Sequence, residues 1–202
     1  MTDSTSTEEF WTWFQSIASS LGADIENRAL LEELDARLHR FDSRLSWEIG
    51  PGEIESWQLV VSPNLDPDLR PAAQKIIFHA PVIPDWEFHF ARRPKEWDYK
   101  LLMQRSDGRE PLRLDASGWG FVLLRHPDGS HEIVLQGDNL ASLDDDERWH
   151  AAAITLESIL GEELLLNKIT AFELVDQLEP RFAESRKSIH GLRETVLTSL
   201  TD

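Results

Sequence analysis

A chain of 202 residues with 37 acidic and 20 basic side chains, a net charge of -17 and no cysteine excludes several classes of protein. Disulfides, thiolate nucleophiles and cysteine-ligated zinc are ruled out, and the acidic balance opposes nucleic acids and anionic membranes, which recruit Lys and Arg. Apolar residues at 41% and charged residues at 28% fit a globular protein, and a chain of this length hides roughly 70% of its unfolded surface without a metal or disulfide staple.

Two amphipathic helices open the chain over 8–42. Phe10, Trp11, Phe14, Ile17, Ala18 and Leu21 recur at helical spacing, with Trp13 off the stripe and Gly22 as the stop signal. Leu30, Leu34, Leu38 and Phe41 form the face of the second helix. The period then turns to two. Leu45–Ile49 alternates, Pro51-Gly52 marks a turn, and Trp57–Val61 follows as a second strand. Asp66-Pro67 predicts an N-cap with proline at the first helical position. Leu69, Ala73, Ile76 and Ile77 line that helix, and Pro81 closes it. Trp86, Phe88 and Phe90 alternate as a third strand. The order over 44–91 is ββαβ.

The stretch Arg92–Lys100 has no clean period and reads as a connector into a short strand at Tyr99, Leu101 and Met103, turned back at Asp107-Gly108 onto Leu112 and Leu114. The ββαβ pattern then returns over 119–170. Trp119–Leu124 and His131–Leu135 read as strands around a His126-Pro-Asp-Gly129 turn. Ser142 and Asp145 resemble a capping box for a helix carrying Trp149, Ala152, Leu156 and Leu160 to Gly161, and Glu163–Lys168 is expected as the last strand. Ser62–Leu65 and Gly137–Leu140 occupy the same place in the two stretches. Residues 171–202 are expected to be helical: Thr170 and Glu173 suggest another capping box leading Phe172, Val175 and Leu178, and Ile189, Leu192, Val196 and Leu200 make a final amphipathic stripe.

The fold class expected is therefore α+β, with two ββαβ units from an internal duplication forming mainly antiparallel sheet. An N-terminal helix pair and a C-terminal helix complete one pseudo-symmetric domain over 1–202. One continuous sheet and two separate sheets both satisfy the pattern.

The opening Phe10–Phe14 (FWTWF), the strand Leu45–Pro51 (LSWEIGP), Leu59–Asn64 (LVVSPN) and Ala80–Phe88 (APVIPDWEF) resemble a family of uncharacterised bacterial proteins. That family has a helical start, a strand pair, a helix and an AP-x-x-x-x-W-x-F strand entry. The resemblance spans about the first half of the chain, its motifs are structural, and it implies a bacterial cytosolic protein without implying an activity.

No signature of a known reaction stands in the sequence. Gly50-Pro-Gly52 and Gly118-Trp-Gly120 lack P-loop spacing, and neither a nucleophile elbow nor an H-E-x-x-H pair occurs. His126, Asp128 and His131 flank one turn and have the donor types of an N/O metal site, but a Pro-Asp-Gly turn accounts for Asp128 by itself. His79, Asp85, Glu87 and His89 surround the third strand, where Glu87 and His89 suit acid–base work or simply a solvated sheet face. Asp144–Glu147 suits a hard cation or a helix N-terminus. The binding segment we single out is Arg92, Arg93, Lys95, Trp97 and Tyr99, the densest basic cluster in an acidic chain, interleaved with two aromatics of the kinds that dominate binding surfaces. The other account of it is a strap whose cations pair with the protein's own carboxylates.

No metal and no cofactor is expected. The function expected is a non-enzymatic protein-binding module, such as an acidic inhibitor or immunity-type protein with a basic partner. The rival is a small-molecule enzyme or ligand-binding domain with its site between the repeats. Nucleic acid and membrane partners are not expected, and a homo-oligomer is compatible with the C-terminal stripe. The polar, acidic start Met1–Glu9 lacks a signal-peptide pattern and no apolar run nears the ~20 residues of a membrane span, so the cytoplasm is the expected compartment.

Overall fold

The computed structural model describes residues 4–105, 108–138 and 140–200. The chain is α+β and rich in antiparallel sheet, and it divides into two compact units, Met1–Arg92 and Arg93–Asp202.

The first unit runs α1 (Ser4–Ala23), α2 (Arg28–Leu38), β1 (Ser46–Pro51), β2 (Trp57–Ser62), α3 (Arg70–Phe78) and β3 (Trp86–His89). Its sheet has the order β1-β2-β3. The short connection at Pro51-Gly52 makes β1 and β2 an antiparallel hairpin, while the helical crossover returns β3 parallel to β2. Phe10, Trp11, Phe14, Leu21, Leu34 and Leu38 share one core with Leu59, Val61, Ile76 and Trp86. Burying each such large side chain is worth roughly 1.5–3 kcal/mol. The buried indoles keep their polar tips satisfied: Trp11 Nε1 donates to the Ile76 carbonyl at 2.8 Å and Trp86 Nε1 to the Ala18 carbonyl at 3.2 Å.

Two local expectations are corrected in this unit. Gly22 does not stop α1. It lies inside the last turn, where a Cβ would come 3.1 Å from Trp57 Nε1, so its small size serves close packing. Asp66 does not cap α3, which begins four residues later with Pro71 in its first turn. Asn64 and Leu65, both in the left-handed region, turn the chain there, and Asp66 instead accepts the Asp68 N–H at 2.9 Å and Arg44 Nη1 at 2.9 Å. Trp13, off the α1 stripe, carries the Arg37 guanidinium 4.4 Å above its ring.

The second unit has β4 (Lys100–Met103) and β5 (Leu112–Asp115), paired antiparallel. Asp107 of the expected turn lies outside the described residues. β6 (Gly120–Arg125) and β7 (His131–Gln136) form a hairpin. A 3-10 turn at Leu140–Ser142, α4 (Asp145–Leu160) and α5 (Glu162–Lys168) then lead to β8 (Ile169–Val175). The chain ends with a 3-10 turn at Pro180–Ser185, β9 (Lys187–Ser188), a 3-10 turn at Ile189–Gly191 and α6 (Leu192–Ser199). The sheet order is β8-β7-β6-β9, with β8 parallel to β7. Hairpin followed by parallel crossover is thus the plan of both units.

The expected strand at Glu163–Lys168 is a helix. Leu164–Leu166 has no alternation, Glu162 and Glu163 suit a helix N-terminus and Lys168 its end. The strand is the next segment, Ile169–Val175, so residues 171–175 are not helical as expected. Thr170 is no cap either: its hydroxyl donates to the His131 carbonyl across the sheet at 3.1 Å. The α4 capping box is built by Asp144 and Glu147 rather than Ser142 and Asp145. Asn139 of the Gly137–Leu140 segment lies outside the described residues. Among the described residues no helix is long and apolar enough to cross a membrane.

Candidate functional site

The basic-aromatic segment is divided between the units. Arg92 closes the first, with Nη2 donating to Ser46 Oγ at 2.8 Å and Nε 3.7 Å from Glu48 Oε2. Arg93 and Lys95 are engaged by other groups as well. The Lys95 N–H donates to the Ser158 carbonyl at 2.7 Å, near the end of α4. Trp97 and Tyr99 are neighbours with ring centroids 5.2 Å apart, and His190 meets Tyr99 edge-on at 4.5 Å. His190 Nε2 donates to the Ser117 carbonyl at 3.1 Å, and the Trp97 indole N–H is buried with no acceptor among the described residues. Tyr99 sits at φ +62°, a strained conformation for a bulky residue, and its carbonyl accepts the Ala116 N–H at 2.8 Å. The structure therefore brings Trp97 and Tyr99 together on a strap and gives each of the three cations a partner.

Glu87 and His89 do lie side by side, at 3.1 Å, but the carboxylate is an anchor. Its two oxygens accept the backbone N–H groups of Glu53 at 2.9 Å, Ile54 at 2.9 Å and Glu55 at 3.1 Å, holding the turn between β1 and β2. Burial pushes its pKa up, but these donors and the His89 ring outweigh that and hold it at about 2. Gly52 is needed at this turn, since a Cβ would lie 2.5 Å from the Glu55 carbonyl oxygen. His79 caps the end of α3, with Nδ1 donating to the Lys75 carbonyl at 2.8 Å, and Asp85 at φ +65° offers its carbonyl to the Trp57 N–H at 2.9 Å.

The three residues of the His126–His131 turn go separate ways. Asp128 accepts the Ser130 hydroxyl at 2.7 Å and the Ser130 N–H at 2.9 Å, which holds its carboxyl below the usual range. His126 lies 3.4 Å from Glu132. His131 is buried at 1% exposure, with neither ring nitrogen partnered among the described residues. Burial pushes its pKa down, helped by the positive charges of Arg125, Lys168 and His126. In the acidic run, Asp144 accepts the Glu147 N–H at 2.8 Å and Glu147 pairs with Arg105 at 2.7 Å. The Arg105 guanidinium holds Glu147 below the usual carboxylate range. Among the described residues no three His, Asp or Glu side chains gather in a group able to hold a metal ion.

An open, mainly apolar groove of the first unit lies on α3. Pro71, Gln74, Lys75, Ile77, Phe78, His79 and Phe90 line a groove of about 630 Å³, within the range of binding sites. Phe78 stands on it 87% exposed, and Val82 nearby in sequence is 96% exposed. Phe78 does not stand out in the sequence because Ile76 and Ile77 already satisfy the helical stripe. A third consecutive large apolar residue, beyond what one face can bury, was the available signal. In the second unit Trp149, read as core, is 47% exposed and stacked on Phe172 at 5.7 Å. No family model matches the chain, and no curated protein and no solved structure matches it.

Proposed function

We propose that the chain is a non-enzymatic, acidic protein-binding module of the cytoplasm whose docking site is the α3 groove. The observation that carries this is Phe78, a large apolar side chain held 87% exposed on an apolar groove. Such patches mark contact surfaces in soluble proteins, and an aromatic anchor is the usual energetic centre of one. The net charge of -17 supports a basic partner, which long-range attraction steers to the surface. An inhibitor or immunity-type protein is the version this favours.

The test is affinity capture of the tagged chain from its host, read by mass spectrometry. A stoichiometric basic partner is expected at low salt, weakened by Phe78→Asp and by raised salt, because charge attraction reaches only about 10 Å at 0.1 M and about 3 Å at 1 M. Recovery of no such partner by the unmodified chain at low salt ends this reading.

We propose also that the two ββαβ stretches arose by internal duplication. The shared hairpin and parallel crossover support it, and α5 is an addition to the second copy. An experimental structure whose residues 46–89 and 120–175 do not superimpose over strands and crossover helix would remove it.

A further inference from the structure

We infer, on the protein-binding reading above, that the open edge of β8 is a further docking surface that takes an extended, basic segment of a partner as an added strand. β8 is the last strand in the order β8-β7-β6-β9 and, among the described residues, pairs only with β7. The Gly137 N–H donates to the Val175 carbonyl at 3.0 Å, which sets the phase of the ladder. Ala171, Glu173 and Val175 turn their main-chain groups to β7, and Thr170, Phe172 and Leu174 turn theirs outward; Leu174 is only 5% exposed, so the accessible part of the edge is at Thr170 and Phe172. No main-chain bond beyond the ladder involves these three among the described residues.

An unpaired row of N–H and C=O groups is a template for another strand. Natural edges are blunted by lysine, proline or short length, but β8 is seven residues, ITAFELV, with neither. By contrast β9 has two residues and β1 ends on Pro51.

Side chains at this edge set the chemistry of the occupant. Phe172 lies under the stacked, half-exposed Trp149 ring, so an added strand would lay an apolar side chain against that pair. Asp145 and Asp146 stand exposed one turn before Trp149 on α4, and Glu173 is exposed on the other face of β8. Carboxylates therefore stand on both sides, against exposed Lys168 just ahead of the strand and Arg148, whose charge Asp176 meets at 2.8 Å. A strand alternating apolar and cationic residues complements all of this. A second copy of the chain complements it poorly, because it would bring -17 against -17.

The test uses the intact chain and two labelled peptides of alternating valine and lysine, one unmodified and one methylated on every peptide nitrogen. Charge and side chains match, so the strand hydrogen bonds distinguish them. The unmodified peptide is expected to bind roughly tenfold tighter and to slow amide exchange at 170–174. Trp149→Ala is expected to weaken it, as is Thr170→Pro, which removes one outward N–H at an edge that tolerates proline. Equal, salt-sensitive binding of both peptides would overturn strand addition while leaving the acidic-module reading standing; that reading falls only with failed capture from the host. Absence of peptide binding, protection mapped away from β8, or protection of 170–174 that grows with the chain's own concentration would each overturn it too.

Discussion

Glu87 and His131 are two titratable groups whose surroundings alter their behaviour, and their pH dependences set in at different pH. The Glu87 side chain is 10% exposed and its folded pKa, at about 2, lies below the ordinary 4.5. Its contribution is therefore present above pH 4.5 and is lost as pH falls from there toward 2, by no more than about 3 kcal/mol. Glu87→Gln keeps the shape but removes the charge and replaces one acceptor oxygen by an NH2 that cannot accept, so at least one of the three bonds is lost. It should cost about 1–3 kcal/mol near neutrality and flatten the acid limb of a urea-unfolding series below pH 4.5. His131 has its folded pKa lowered from 6.5, so the stability of the neutral, buried ring is fully present above 6.5 and is lost as pH falls below it. His131→Leu should remove the decline that begins near pH 6.5 while leaving the Glu87 limb in place. Unfolding curves of both variants across the two windows check the assignment.

At the scale of elements, the junction of α4 and α5 depends on Gly161. Its φ is +83° and an added Cβ would lie 2.8 Å from Pro94 Cδ, so Gly161→Ala meets both backbone strain and the strap. A cost of about 1–3 kcal/mol is expected, read as a lower thermal midpoint and faster amide exchange at the end of α4. The α4 start is a smaller effect: Asp144→Ala removes one side of the capping box and should cost about 1 kcal/mol in the same measurement. These two ends also show what local sequence could reveal. Gly161 reads as a stop from the sequence alone, and the acidic run reads as a helix start. The choice between Ser142 and Asp144 as cap depended on where the 3-10 turn at Leu140–Ser142 placed the first helical residue. The strand at Ile169–Val175 escaped because Thr170-x-x-Glu173 mimics a cap, and only pairing with β7 distinguishes the two.

At the scale of the whole molecule, charge is the dominant property. With a net charge of -17 near neutrality and a sequence pI of about 4.7, self-repulsion opposes association at pH 7 and fades as pH approaches 4.7. Light scattering should show solubility falling over that interval, and salt should blunt the protection at pH 7. The composition, the net charge, the α+β class and most helices and strands, though not α5, β8 or β9, were determined by the sequence by itself, because periods of two and 3.6 are local properties of the chain. Tertiary structure decided that Glu87 anchors a turn 34 residues away at Glu53, that His131 is buried with neither ring nitrogen partnered among the described residues, and that Phe78 and Trp149 remain exposed. Each depends on which segments become neighbours, and the free energy of those long-range contacts has no imprint on local spacing.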